Sequence, residues 1–278
     1  MSIPPAHSET LRALFSDRHS RITILTGAGI SAESGIPTFR GPEGYWSIGS
    51  KVYMPQEMAT HEMFQQRPEA VWSWYLYRLG VCLQARPNPG HLALAQLEQR
   101  LGDRFILITQ NIDNLHLTAG NTPARTYQIH GNINYTRCSG GACPDLLPLP
   151  QELRRQRDDS QLSQAELRLL RCPGCGDWLR PHVLWFDEYY DEAHFYLDSS
   201  VSRAHETDLL LIVGTSGATT LPNIITMTVL NAGKTIMDLN IEENAFSALA
   251  RQSEGGGFIQ GSAAQLLPEL LALCPGAD

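Results

Sequence analysis

The sequence predicts an α/β fold: a doubly wound parallel sheet with a small module inserted into it. Three observations carry this. Short apolar runs of strand length recur, at Ile22-Thr23-Ile24-Leu25, Phe105-Ile106-Leu107-Ile108-Thr109 and Leu209-Leu210-Leu211-Ile212-Val213. Helical patterns alternate with such runs, the signature of strands joined by crossover helices. Residues 133 to 180 differ from the rest, holding cysteine pairs, the proline-rich stretch Pro144 to Pro150 and a charged polar segment.

Taken in order, a helix is expected over 8–19, then a strand over 22–26. A glycine turn follows, with a helix beginning near Ser31 and Ser31 as its cap. Residues 41 to 60 carry Gly41, Pro42, Gly44, Gly49 and Pro55 and read as a long irregular loop, of the kind that often closes over a ligand. An aromatic-rich helix is expected over 68–85. After Pro87-Asn88-Pro89-Gly90 comes another over 91–101, then the strand 105–109 and the short strand Tyr127-Gln128-Ile129. The inserted module contributes a polar helix over 151–170. Beyond it come a strand over 182–186, a helix over 192–205, a strand over 208–214, a helix over 222–232, a strand over 234–239, and helices near 243–250 and 262–273. Gly255-Gly256-Gly257 reads as a local flexible spot.

The chain has 278 residues, room for one large unit plus a small one. Its 42% hydrophobic and 18% charged content is that of an ordinary globular enzyme. A formal net charge of -8 gives no basic footprint, so no direct nucleic-acid partner is expected. No basic stretch followed by an apolar core opens the chain, and no apolar run approaches membrane-spanning length. The expectation is a cytoplasmic protein with no membrane partner, acting as a monomer. Of six cysteines, Cys138 and Cys143 form one close pair and Cys172 and Cys175 another, 28 residues further on. In such a chain this favours metal over disulfides. Four thiolates complete a closed tetrahedral zinc site, which is structural because no coordination position is left open. The first pair is spaced more widely than usual.

The other motifs each have a plain alternative. Gly27-Ala28-Gly29 after a strand suits a backbone that approaches a pyrophosphate closely. A ligand-free tight turn would look similar, and the next glycine, Gly35, breaks the usual dinucleotide spacing. Phe39 and Arg40 follow, an aromatic to cover a sugar carbon and a guanidinium for phosphate or ribose. Thr109-Gln110-Asn111-Ile112-Asp113 leaves the carboxyl end of a strand, where ligands gather in open sheets. Asn111 and Asp113 could hold a carboxamide or make an Asx turn that caps the next helix. His130, before Gly131-Asn132, has the right intrinsic pKa for a general base, though a lone histidine is more often simply satisfied.

Together these strings resemble the sirtuins, the NAD-dependent protein lysine deacylases, from about residue 20 to 270. Gly214-Thr215-Ser216, Asn240 and Arg180 to Phe186 add to the likeness. The resemblance implies a Rossmann-like domain, about 8–132 and 181–273, with a zinc module at about 133–180 and a further helical and loop insertion at about 41–85. It implies NAD as co-substrate, one structural Zn2+, acylated lysine side chains as partners, and release of nicotinamide with O-acyl-ADP-ribose. His130 and Asn111 would be catalytic. The cofactor would contact Gly27, Ala28, Gly29, Glu33, Thr38, Phe39, Arg40, Trp46, Gln110, Asn111, Ile112, Asp113, His130, Gly214, Thr215, Ser216, Asn240 and Ala263. Cys138, Cys143, Cys172 and Cys175 would hold the metal. Val183, Trp185 and Phe186 would bind the substrate backbone as an added strand. An ADP-ribosyltransferase or NAD glycohydrolase is the alternative chemistry.

Tyr75-Leu76-Tyr77-Arg78 resembles the Tyr-x-x-Arg of sirtuins that remove succinyl and malonyl groups, and Ala59 the small residue that leaves room for them. Three residues apart, Tyr75 and Arg78 share a helix face, and a guanidinium fits a carboxylate bidentately. The implied preference is for acidic acyl groups, with acetyl also removed. Phe186-Asp187-Glu188 departs from the family's Phe-Gly-Glu, and Gly217-Ala218-Thr219-Thr220 from its usual continuation.

Overall fold

The computed structural model describes residues 2–38, 55–157 and 161–276. Phe39, Arg40 and Trp46 lie outside them, as does most of the 41–60 loop. The strands are β1 (Ile22–Thr26), β2 (Phe105–Thr109), β3 (Thr126–Gln128), β4 (Gly131–Cys138), β5 (Leu147–Pro148), β6 (Leu179–Val183), β7 (Leu209–Val213), β8 (Thr235–Asn240) and β9 (Gly257–Gln260).

Six of them form one parallel sheet in the order β3-β2-β1-β7-β8-β9. All five residues of β1, β2 and β7 are buried, as a sheet covered on both faces requires. Ile22, Ile24, Leu107 and Leu211 face Leu11, Leu97 and Leu266 from the helices Pro5–Ser16, Pro89–Leu101 and Ala263–Leu273. Leu25, Ile108, Leu210 and Ile212 face Leu221, Ile225 and Phe246 from the helices Thr220–Asn231 and Ala245–Ala250. The strand order reverses direction between β1 and β7. That reversal opens a crevice at the strands' carboxyl ends, where such folds bind ligands.

The second sheet is antiparallel, in the order β5-β4-β6. Helix Pro68–Gln84 packs on it, so that Trp72, Tyr75, Leu76 and Leu79 share one core with Ile133, Leu149, Leu170, Leu179 and Trp185. Trp72 anchors the helix by donating its indole N–H to the Leu179 carbonyl at 2.7 Å.

Several local expectations need correction. The strand expected over 182–186 is β6, which ends at Val183 and pairs antiparallel with β4 instead of joining the parallel sheet. Ser31 lies inside the one-turn helix Gly29–Ala32 and does not cap it; its hydroxyl is used elsewhere. Among the described residues, the polar helix of 151–170 shrinks to Gln164–Leu169, with Ser163 and Glu166 forming its capping box. The helix of 192–205 breaks at Tyr196, whose φ of 55° is left-handed and whose ring stacks on Tyr127 at 5.1 Å. The glycine run read as flexible leads into β9, an edge strand.

Candidate active site

The crevice is built where two turns cross. Gly27, after β1, donates its amide to the Val213 carbonyl at 3.0 Å, and Gly29 donates to the Gly214 carbonyl at 2.8 Å. A Cβ on Gly27 would stand 2.6 Å from the Thr215 Cβ, and one on Gly29 2.7 Å from the Gly214 Cα. Gly214 itself has φ +61°, and a Cβ there would meet the Ile30 amide at 2.7 Å. The glycines are therefore required by the crossing of the two chains, before any phosphate is considered.

Polar side chains line the crossing. Gln110 donates its amide to the Thr215 hydroxyl at 2.9 Å and accepts from the Thr219 hydroxyl at 3.0 Å. Asn111 donates to the Gly27 carbonyl at 3.1 Å and to the Ser31 hydroxyl at 3.2 Å. Ser31 donates in turn to Asp113 at 2.7 Å, while the other Asp113 oxygen accepts the Leu115 amide at 2.9 Å. Asp113 thus both makes the Asx turn before helix Leu115–Ala119 and belongs to the polar cluster. Burial pushes its carboxyl above the usual range. Asn240 donates to the Thr215 carbonyl at 3.0 Å, tying β8 to the same turn. Ser216 is exposed, and Ala28, Thr38 and Ile112 are partly buried. The Glu33 carboxylate accepts the Ala264 amide at 2.9 Å, at the start of helix Ala263–Leu273. Glu33 and the buried Ala263 therefore meet at one helix N-terminus.

His130 lies between β3 and β4. Its Nδ1 is 3.0 Å from the Gln110 carbonyl and its Nε2 is 2.8 Å from the Tyr190 hydroxyl. Burial drives its pKa down to about 4, only partly opposed by the Gln110 carbonyl, so the ring is neutral at neutral pH. Gly131 has φ +81°, and a Cβ on it would sit 2.1 Å from the His182 carbonyl. Contact with β6 demands that glycine, independently of any approaching substrate.

Tyr75 and Arg78 lie on the inner face of helix Pro68–Gln84, with 1% and 4% of their surface exposed. The Tyr75 hydroxyl accepts the Trp185 indole N–H at 3.0 Å, and burial pushes its pKa up to about 12. The Arg78 guanidinium lies 4.6 Å from the Trp74 ring centroid. Ala59 is buried beside them, and its carbonyl accepts the Phe186 amide at 3.0 Å. The Leu184 amide goes to the His130 carbonyl and the Trp185 amide to Glu188, so all three amides of this segment bond within the chain. Val183 and Trp185 are buried, while Phe186 is 57% exposed.

Asp187, the departure from Phe-Gly-Glu, has a visible task. Its oxygens accept the amides of His61 at 2.8 Å and Glu62 at 3.2 Å, while Thr60 accepts that of Met63. These are the first free N–H groups of helix His61–Gln66. The carboxylate fastens the segment after β6 to the insertion that carries Ala59.

The four cysteine sulfurs lie within 4.8 Å of one another, and those of Cys138 and Cys175 are 3.4 Å apart. Tetrahedral zinc with bonds of about 2.3 Å sets its sulfurs about 3.8 Å apart, so the cluster has the right size for one ion. The wide first spacing is taken up by Gly140 and Gly141, the latter at φ +70°, between the end of β4 and Cys143. Sequence reasoning missed Tyr190, which no motif marks, and misplaced Ser31, whose hydroxyl serves Asp113 instead of capping a helix.

A parallel sheet in this order, with a polar cluster at its reversal and a cysteine-bearing module alongside, is that of a Rossmann-like α/β protein. The chain belongs to the Sir2 family, whose model matches residues 27–220. It is 39% identical over 255 residues to an NAD-dependent protein deacylase of Leptospira interrogans, covering 92% of this chain and 93% of that one. An NAD-dependent protein deacylase of Pyrococcus furiosus is 39% identical over 254 residues, covering 91% and 93%. Among solved structures, a mutant Sir2 homologue in complex with ADP-ribose superposes with a TM-score of 0.78 at 31% identity, covering 96% of this chain and 95% of that chain. A Sir2 homolog–NAD complex superposes with a TM-score of 0.76 at 32% identity, covering 95% and 92%.

Proposed function

We propose that this chain is an NAD-dependent protein lysine deacylase that prefers succinyl and malonyl groups and also removes acetyl. The observation that carries the chemistry is the neutral His130, held at the sheet reversal beside Gln110, Asn111 and Asp113. Bound NAD would supply the ribose carbon to which the acyl oxygen adds as nicotinamide leaves; water would then enter, the acyl–lysine C–N bond would break, and free lysine and O-acyl-ADP-ribose would be released. His130 accepts a proton from a ribose hydroxyl at Nε2, the nitrogen not committed to the Gln110 carbonyl. Asn111 and Asp113 line the nicotinamide pocket, with Ile112 between them, and Gln110 contacts ribose. Ala28, Glu33 and Thr38 belong to the phosphate and ribose side, and Gly214, Thr215, Ser216, Asn240 and Ala263 to the adenosine side. Phe39, Arg40 and Trp46 complete the cofactor set by resemblance. The four cysteines hold one structural Zn2+. Val183, Trp185 and Phe186 form the groove for the substrate backbone.

The acyl preference rests on Tyr75, Arg78 and Ala59. A buried guanidinium, with a tyrosine hydroxyl three residues away, offers a carboxylate two kinds of donor. The test is a panel of acetyl-, succinyl-, malonyl- and long-chain acyl-lysine peptides with NAD, read by mass spectrometry. Succinyl and malonyl peptides should turn over fastest, and His130→Ala should turn over none. Arg78→Met should reduce desuccinylation roughly 10- to 100-fold, the loss of one charge-assisted pair, while sparing deacetylation. Equal loss on every acyl group would remove the acidic preference. NAD consumed without an acyl substrate, or label from NAD appearing on protein, would favour glycohydrolase or ADP-ribosyltransferase chemistry.

A further inference from the structure

Tyr190 belongs to none of the motifs, yet it makes the closest polar contact to His130. A carbonyl oxygen can only accept, so the Gln110 carbonyl at 3.0 Å places the ring proton on Nδ1. Nε2 then carries the lone pair, and the Tyr190 hydroxyl at 2.8 Å must be its donor. Burial raises Tyr190 to about 12, so the hydroxyl stays protonated and keeps donating. Thr219, in the segment where the chain departs from the family's usual continuation, donates its hydroxyl to the Gln110 side chain at 3.0 Å. His130 is therefore held at both nitrogens, by the Gln110 carbonyl and the Tyr190 hydroxyl.

Among the titratable side chains of the described residues, only Tyr190 bonds to a nitrogen of the ring, and no charged side chain contributes to its titration.

We propose that Tyr190 is a positioning residue for His130: its hydroxyl holds the imidazole with Nε2 unprotonated and facing the cleft, and it yields that lone pair to the substrate hydroxyl. This rests on His130 as the base. Nε2 has a single lone pair, so a ribose hydroxyl and Tyr190 cannot both donate to it. The contact also holds the imidazole neutral, because a hydrogen bond to the neutral form disfavours the charged one.

The test is an NMR titration of the 15N-labelled free enzyme, observing both His130 nitrogens, for the wild type and Tyr190→Phe. The wild type should show Nε2 unprotonated and a midpoint well below 6.5. In Tyr190→Phe the midpoint should rise by about one pH unit, with unchanged melting temperature. The acid limb of kcat/KM for NAD should rise with it, lowering activity at pH 4.5 about threefold while that at pH 8 stays within about threefold. An Nε2 that is protonated in the wild type, or a His130 midpoint that does not move in Tyr190→Phe, would overturn the inference. If the midpoint moves but the kinetic limb does not, or if His130→Ala still turns over, the assignment of His130 as base fails while the Tyr190 contact stands.

Discussion

Asp238 lies in the middle of the parallel sheet, opposite Ile212 of β7, with none of its surface exposed. One oxygen accepts from Asn244 at 2.9 Å and Ser247 at 2.6 Å. The other has no hydrogen-bond partner among the described residues. Burial outweighs the two donors and raises the carboxyl from its ordinary 3.8 to about 6. The sign follows from linkage. A group whose folded pKa is raised stabilises the fold fully below the unfolded value, and that contribution is lost as pH climbs through the folded value. Stability from Asp238 is thus complete below about pH 4 and gone above about pH 6. A rise of about two pH units corresponds to about 3 kcal/mol. Asp238→Asn keeps the shape and an acceptor for Ser247 but cannot ionise. It should match the wild type near pH 4 and exceed it by up to about 3 kcal/mol at pH 7.5, with the gain accumulating between the two. Urea unfolding of both proteins at half-unit pH steps reads this directly. A difference independent of pH, or a variant less stable at pH 7.5, would refute the argument that the buried charge is the liability.

At the crossing of the two turns, Gly29→Ala should destabilise the chain by roughly 1–3 kcal/mol in urea, because the new methyl meets backbone that cannot give way. It should also weaken NAD binding at least tenfold by calorimetry; unchanged affinity would mean the crossing does not shape the site. Asp187→Gly should lose about 1 kcal/mol of stability through the uncapped helix His61–Gln66, and a neutral result would show that Thr60 suffices as cap. Metal analysis should find one zinc per chain, lost on strong chelation with a fall in melting temperature, and Cys172→Ser should bind none. A chain stable and metal-free as purified would leave the cysteines as plain thiols.

Much of the parallel sheet was legible because its strands are apolar on both faces and stand alone as runs; β1, β2 and β7 lie within a residue of expectation. The failures share a cause. β6 reads as apolar residues around Pro181 and His182, and nothing local says that its partner is β4, some fifty residues earlier. β9 is four residues long after three glycines, too short and too flexible in appearance to register as a strand. The polar helix of 151–170 had helical composition, but its stretch 154–161 offers no apolar residue to bury, and among the described residues only its capped end, Gln164–Leu169, is α-helical.

The sequence by itself determined the class of fold, the crossing glycines, the polar string Gln110 to Asp113, His130 and the four cysteines, because each is a local pattern imposed by backbone sterics or by ligand chemistry. Only the tertiary structure decided what these groups touch. The glycines are needed first for each other, Asp113 serves both a turn and Ser31, Asp187 fastens a helix, and Tyr190 hydrogen-bonds to His130. Such contacts join residues sixty or more apart in the chain, and packing alone brings them within hydrogen-bond reach.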